Sequence, residues 1–167
     1  MKKSTPQKKE QTIRVMKRKT TDNKYLHKDF HIALNHLMNY IYDNFGEDSV
    51  REYLEQYANT FFKPLKDRLK TGDIKALEDY LRDICQKEEW KINMTVGKNF
   101  IETEQNACPG ISHLVSKGIE PCPLYRETYL TIYKTLCENT PFEYTLSDFN
   151  ESTGACKQKF VRKEDAV

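Results

Sequence analysis

Three of the four histidines fall within ten positions, in the stretch KYLHKDFHIALNHLMNYI over residues 24–41. His27 and His31 are four apart, so on a helix their imidazoles project the same way, one turn above the other. Such a pair can chelate a divalent metal such as Zn, or divide the roles of base and acid between them. The zinc-protease pattern needs a Glu directly after the first His, and here KDF intervenes, so that chemistry is excluded. Two ligands alone do not close a metal site, and histidines beside an apolar stripe are commonly hydrogen-bonded packing residues. His36 falls well outside the stripe.

Sulfur is the second source of chemistry. Cys108 opens CPGISH, where Pro109 fits the first turn of a short helix and the helix dipole favours a thiolate. His113, five residues on, could serve as base or ligand. Cys122 precedes Pro123 and is expected to open the last helix in the same manner. Cys85 and Cys137, late in their helices, read as small buried hydrophobes. Cys156 shares a strand face with Gln158 and Phe160, and an inward Gln needs a partner, whether a ligand or a protein group. Glu88 and Glu89 end a helix and could supply a carboxylate base, although an exposed helix end is the commoner case.

These residues must be positioned by recognisable elements. Leu26, Phe30, Leu34, Leu37, Ile41 and Phe45 recur at helical spacing, and Gly46 ends that helix. Asp48 or Ser49 is placed to cap a second helix with Val50, Leu54, Ala58 and Phe61 on its stripe, and Pro64 interrupts it. Asp73 caps a third, with Leu77, Leu81 and Ile84 inward. The period then changes. WKINMTV and NFIETEQ alternate around a GK turn, so they pair as a hairpin. A helix follows over PCPLYRETYLTIYKTL, then FEYTLSDF, the turn NESTG and the strand ACKQKFV. The expected fold is α+β: an N-terminal helical layer on one face of a small antiparallel sheet, with ββαββ order in the C-terminal half.

Composition limits the rest. The chain has 167 residues, 38% hydrophobic and 31% charged, with a formal net charge of +2. That suits a globular protein with a real core, expected in the cytoplasm, since no apolar run has the length of a membrane span. Residues 1–23 form a basic leader and 24–167 a single domain. Through Lys24 the seven lysines and two arginines oppose only Glu10 and Asp22. With no aromatic residue to read bases, a nucleic-acid partner is disfavoured. Five cysteines without a CxxC pair argue against a disulfide scaffold or zinc ribbon. No G-x-S-x-G elbow, P-loop or dinucleotide fingerprint is present. The stripe of Tyr53, Tyr57 and Phe61 could bury a homodimer contact or belong to the core.

Taken together, YLHKDFHIALNHLMNYI, the stretch from GEDSVREYL to YLRDI, CPGISHL and GACKQKF resemble the family of L-2-amino-thiazoline-4-carboxylic acid hydrolases, over roughly residues 24–162. That resemblance implies hydrolysis of a non-peptide C–N bond in a small cyclic amidine. His27, His31, Cys108 and Cys122 would then be the catalytic set, with His113, Cys156 and Gln158 near the ligand. The layout is also similar to four-vinyl-reductase-type domains, which implies the alternative of a small-ligand or metal-binding sensor.

Overall fold

The computed structural model describes residues 27–164, with side chains from Phe30 onward. The basic leader therefore lies outside the described residues, as does the side chain of His27. Six helices and four strands follow in the order α1 (His27–Phe45), α2 (Glu47–Phe61), α3 (Lys63–Lys70), α4 (Ile74–Lys87), β1 (Asn93–Val96), β2 (Phe100–Gln105), α5 (Pro109–Ser116), α6 (Glu127–Cys137), β3 (Phe142–Ser147) and β4 (Cys156–Arg162). The protein is α+β, with helices in the N-terminal part and a four-stranded antiparallel sheet of order β1-β2-β4-β3. No helix among the described residues is long and apolar enough to cross a membrane.

The sheet has a dry face and a wet one, as antiparallel sheets commonly do. Ile101, Thr103 and Gln105 of β2 and Cys156, Gln158 and Phe160 of β4 point into the protein. Between them Glu102, Glu104, Lys157 and Lys159 face outward, and Lys159 pairs with Glu102 across the strands at 2.7 Å. Helix α6 packs against β3 on the dry side, and α2 packs against α6. The main core joins Val50, Leu54 and Ala58 of α2 to Leu136 of α6 and Phe142 and Phe160 of the sheet.

The start and stop signals act as their chemistry requires in most places. Asp73 caps α4 by accepting the Ala76 N–H at 3.1 Å, and Pro64 occupies the first turn of α3. Elsewhere the chain departs from expectation. Gly46, with φ +85°, is the residue before α2, and neither Asp48 nor Ser49 caps it. Helix α6 begins at Glu127, because residues 123–126 form turns. Leu37 and Phe45 are exposed, since α1 turns the face of Leu34, Asn35 and Met38 inward.

Asn35 explains that choice of face. Its side chain, fully buried, donates to the Glu120 carbonyl at 3.0 Å and accepts the Cys122 N–H at 2.7 Å, which ties α1 to the loop ahead of α6. Asn35→Ala takes the side-chain partner from the buried Cys122 N–H and from the partly buried Glu120 carbonyl, so it is expected to cost about 2 kcal/mol in urea denaturation. The end of α4 is equally specific. Trp90 N–H donates to Cys85 O and Glu89 N–H to Gln86 O, the double bond pattern of a Schellman cap, with Glu89 left-handed at φ +53°. A non-glycine residue in that conformation is strained, so Glu89→Gly is expected to stabilise the fold by about 1 kcal/mol in the same measurement.

Candidate active site

Glu88, the helical C-cap residue of α4, continues the inward stripe of Leu77, Leu81 and Ile84, and the reversal at Glu89 brings Trp90 back against the protein, where its indole N–H donates to Ala107 O at 3.1 Å. Glu88 is thereby buried, its side chain only 2% exposed. A carboxylate there also sits at the negative end of the α4 dipole, so neither burial nor the helix favours its charge. What it meets is His31, whose Nε2 lies 3.3 Å from Glu88 Oε1. The other ring nitrogen, Nδ1, lies 3.3 Å from the Tyr125 hydroxyl. A carboxylate beside Nε2 favours the proton there, which leaves Nδ1 as an acceptor for the tyrosine.

Tyr125 leads to sulfur. Cys108 stands immediately before α5, with its thiol in reach of the Tyr125 and Tyr129 hydroxyls and of the Gly110 and Ile111 N–H groups at the helix start. Burial pushes the Cys108 thiol up, and those four donors, Tyr129 foremost, oppose it. Burial also raises both tyrosine hydroxyls well above their ordinary value, so they remain proton donors across the neutral range. Behind Tyr129 runs a second arm. Gln105 Nε2 donates to Tyr129 Oη at 3.3 Å and to Gly154 O at 2.7 Å, and Gln158 joins Gln105 to the Tyr144 hydroxyl.

Two glycines make these approaches possible. A Cβ on Gly110 would fall on the Tyr125 hydroxyl and within 2.6 Å of His31 Nδ1. On Gly154, which has φ +69°, a Cβ would overlap the Cys108 Cβ. The turn carrying Gly154 also holds Cys108 directly, since Cys108 N–H donates to Thr153 O at 2.8 Å. His31, Glu88, Cys108, Tyr125 and Tyr129 line one wall of a cavity of about 120 Å³. Phe30, Tyr57, Phe62, Tyr80, Trp90 and Tyr133 supply most of the remainder. Engineered cavities of about 150 Å³ hold benzene, so this space suits a single small ring.

The histidine and thiol therefore meet in part as the sequence led us to expect. His31 and Cys108 share the cavity, whereas Cys122 does not line it. Cys122 packs in the main core, and because α6 starts five residues later its thiol has no helix start beside it; burial pushes it up. His113 does not line the cavity either, and its Nε2 is buried with no hydrogen-bond partner among the described residues. Cys156 lies beneath the sheet, its thiol pushed up to about 12 chiefly by burial. Gln158 finds its partners in Tyr144 and Gln105 and reaches the site only through that chain. No group of three or more His, Cys, Asp or Glu side chains among the described residues is arranged to hold a metal. Tyr125 and Tyr129 were not anticipated as site residues, and Glu88 was weighed as a carboxylate base against the commoner case of an exposed helix end, whereas it is buried. The best available signal was Gly110, an otherwise unfavourable residue in a first helical turn.

No family model and no curated protein matches the chain.

Proposed function

We propose that the protein is a thiol-dependent hydrolase opening the C–N bond of a small cyclic amidine, of the thiazoline type that the sequence resemblance implies. One observation carries the reading: the buried order Glu88, His31, Tyr125, Cys108 along a single wall of a ring-sized cavity. It repeats the logic of a nucleophile, a base and a carboxylate that orients the base, with a tyrosine hydroxyl interposed.

In this scheme Tyr125 passes its proton to His31 Nδ1 and takes the proton of the Cys108 thiol. The sulfur bonds to the amidine carbon, whose π pair moves to nitrogen. The imidazolium returns its proton to the ring nitrogen. When the adduct collapses, the lone pair of the exocyclic amino group forms the thioimidate π bond, and a proton of that group passes to the ring nitrogen. The ring nitrogen leaves with the C–N pair as a primary amine. Water then adds to the thioimidate carbon, and Cys108 departs with its bonding pair and recovers a proton. The Gly110 and Ile111 N–H groups hold the sulfur while it is anionic. The experiment is turnover of 2-amino-2-thiazoline and its 4-carboxylate, followed by loss of ring absorbance, in the wild type and in Cys108→Ser. Turnover of either compound that disappears in the variant supports the reading; turnover of neither, or turnover that survives in Cys108→Ser, rejects it.

A second reading draws on the same wall. Burial raises the Cys108 thiol, so the resting site holds a neutral sulfur, which suits a domain that binds a ligand without reacting. Binding without turnover would select it.

A further inference from the structure

The inner face of the sheet is apolar at Ile101 and Phe160, yet Gln105 and Gln158 stand beside them, both buried. An apolar pair would avoid the cost of burying two amides, so what these amides reach is informative. Their orientation is fixed at one end. The Gly154 carbonyl can only accept, so the Gln105 atom 2.7 Å from it is the NH2 group. The same nitrogen lies 3.3 Å from Tyr129 Oη and donates to it as well. Gln105 Oε1 then accepts from Gln158 Nε2 at 3.5 Å, and Gln158 Oε1 accepts from the Tyr144 hydroxyl at 3.0 Å. Every bond runs the same way, from Tyr144 through Gln158 and Gln105 to Tyr129. Because the Tyr129 oxygen accepts from Gln105, its own proton is available to the Cys108 sulfur within its reach. Bonds aligned head to tail polarise one another, which strengthens the last donor.

The backbone ties this order to the sulfur. Gly154, the acceptor that sets it, packs so closely that a Cβ there would overlap the Cys108 Cβ, and the adjacent Thr153 O accepts the Cys108 N–H at 2.8 Å. Burial keeps Tyr125, Tyr129, Tyr133 and Cys156 protonated around the sulfur below pH 9, with His31 and Glu88 beyond Tyr125. What meets negative charge at the sulfur itself is hydrogen-bond donors, Tyr129 and the Gly110 and Ile111 N–H groups.

We propose that Gln105, oriented by Gly154 and backed by Gln158 and Tyr144, is a positioning residue that commits the Tyr129 hydroxyl to donating to the Cys108 sulfur, so that this arm stabilises the thiolate. The role rests on the thiol-dependent reading of the site and divides its labour: Tyr125 removes the thiol proton, and Tyr129 holds the anion, at attack and again at departure.

The test is the rate at which iodoacetamide alkylates Cys108 in the full chain between pH 7 and 9, read on the Cys108 peptide by mass spectrometry. Cys156, buried beneath the sheet, is read in the same digests as the gauge of opening. The thiolate is the reacting form, so the rate follows the thiolate fraction. Tyr129→Phe is expected to slow Cys108 about tenfold at each pH, equivalent to one pH unit in its midpoint. Gln105→Leu is expected to slow it about threefold, and to add little in the Tyr129→Phe background because it acts through that hydroxyl. A merely structural role moves the rate the other way, since loosened packing makes Cys108 and Cys156 label faster together. Labelling of Cys108 at the wild-type rate or faster in a folded Tyr129→Phe overturns the proposal. So does an equal slowing by Gln105→Leu with and without the Tyr129 hydroxyl. If Gln105→Leu does not fold, Tyr144→Phe removes only the first donor of the chain and takes its place in the comparison, with the same two outcomes. No thiazoline is present in this experiment, so failure of the hydrolase reading is a separate result: the expected slowing, with neither thiazoline turned over. Cys108-dependent turnover with labelling unchanged in Tyr129→Phe would sink the positioning role and leave the hydrolase.

Discussion

Gly110→Ala is expected to lower the proposed turnover of 2-amino-2-thiazoline by about a hundredfold or more, the scale of a displacement near 1 Å in a reacting group. The added methyl has nowhere to go. It falls on the Tyr125 hydroxyl and within 2.6 Å of His31 Nδ1, so the contact between those two groups must open. Overpacking of this kind costs about 1–3 kcal/mol of stability, and the variant remains folded enough to assay. A second substitution separates the two consequences. Tyr125→Phe in the Gly110→Ala background removes the oxygen that the methyl strikes, so stability should recover much of the loss. Activity should not recover, because the hydroxyl joining Cys108 to His31 is then absent. Independent additive losses in both quantities would show that Gly110 and Tyr125 do not act on one contact.

Why that glycine was a signal and the tyrosines were not follows from what a sequence can carry. Periodicity locates helices because it reports burial along one element: Leu77 and Leu81 of α4 and Cys156, Gln158 and Phe160 of β4 face inward as assigned, as do Val50, Leu54 and Ala58 of α2, whereas Phe61 at the end of the α2 stripe is exposed. It failed on α1, where Leu37 and Phe45 fit the stripe but are exposed. A polar residue, Asn35, decided the rotation of that helix by bonding to a loop some 85 residues away in sequence. Tyr125 and Tyr129 carry no functional signal in the sequence for a comparable reason. An aromatic stripe and a hydroxyl relay use the same residue type, and only the partner brought by another element distinguishes them. Glu88 at a helix end is normally solvated; here it is still helical and lies four residues beyond Ile84, on the inward stripe of α4, where its charged side chain gives no sign of burial.

Position along the chain also explains which cysteine joined the site. Cys108 and Cys122 both precede a proline, and each was expected to open a helix. At Cys108 the helix starts at once, so the Gly110 and Ile111 N–H groups converge on sulfur. After Cys122 the chain spends residues 123–126 in turns, with the Cys122 N–H committed to Asn35. One thiol therefore acquires donors and a cavity, whereas the other joins Leu34 and Leu136 in the main core. The same local motif yields a cavity-lining thiol in one case and a packed one in the other, because the cavity is made by what crosses it.

The largest stability effect is expected from alkali. Burial pushes the Cys137 and Cys156 thiols up to about 12, from an ordinary 9.0. Above pH 9 the unfolded chain releases these protons and the folded protein keeps them. The unfolded state then binds fewer protons, so stability falls as pH rises, from about pH 9 until the folded values near 12 are reached. Each group removes about 1.4 kcal/mol per pH unit in that window, so the two together remove about 5 kcal/mol by pH 11. That rivals the whole stability of a marginal domain, commonly about 5–15 kcal/mol. Tyr133 and Tyr144, also raised by burial, steepen the loss above their ordinary 10.0. Urea denaturation under reducing conditions at pH 8, 9.5 and 11 should show the decline, and a Cys137→Ala, Cys156→Ala double variant should show a shallower one. Equal unfolding free energies at pH 8 and 11 would mean that water reaches both thiols in the folded protein, contrary to their burial.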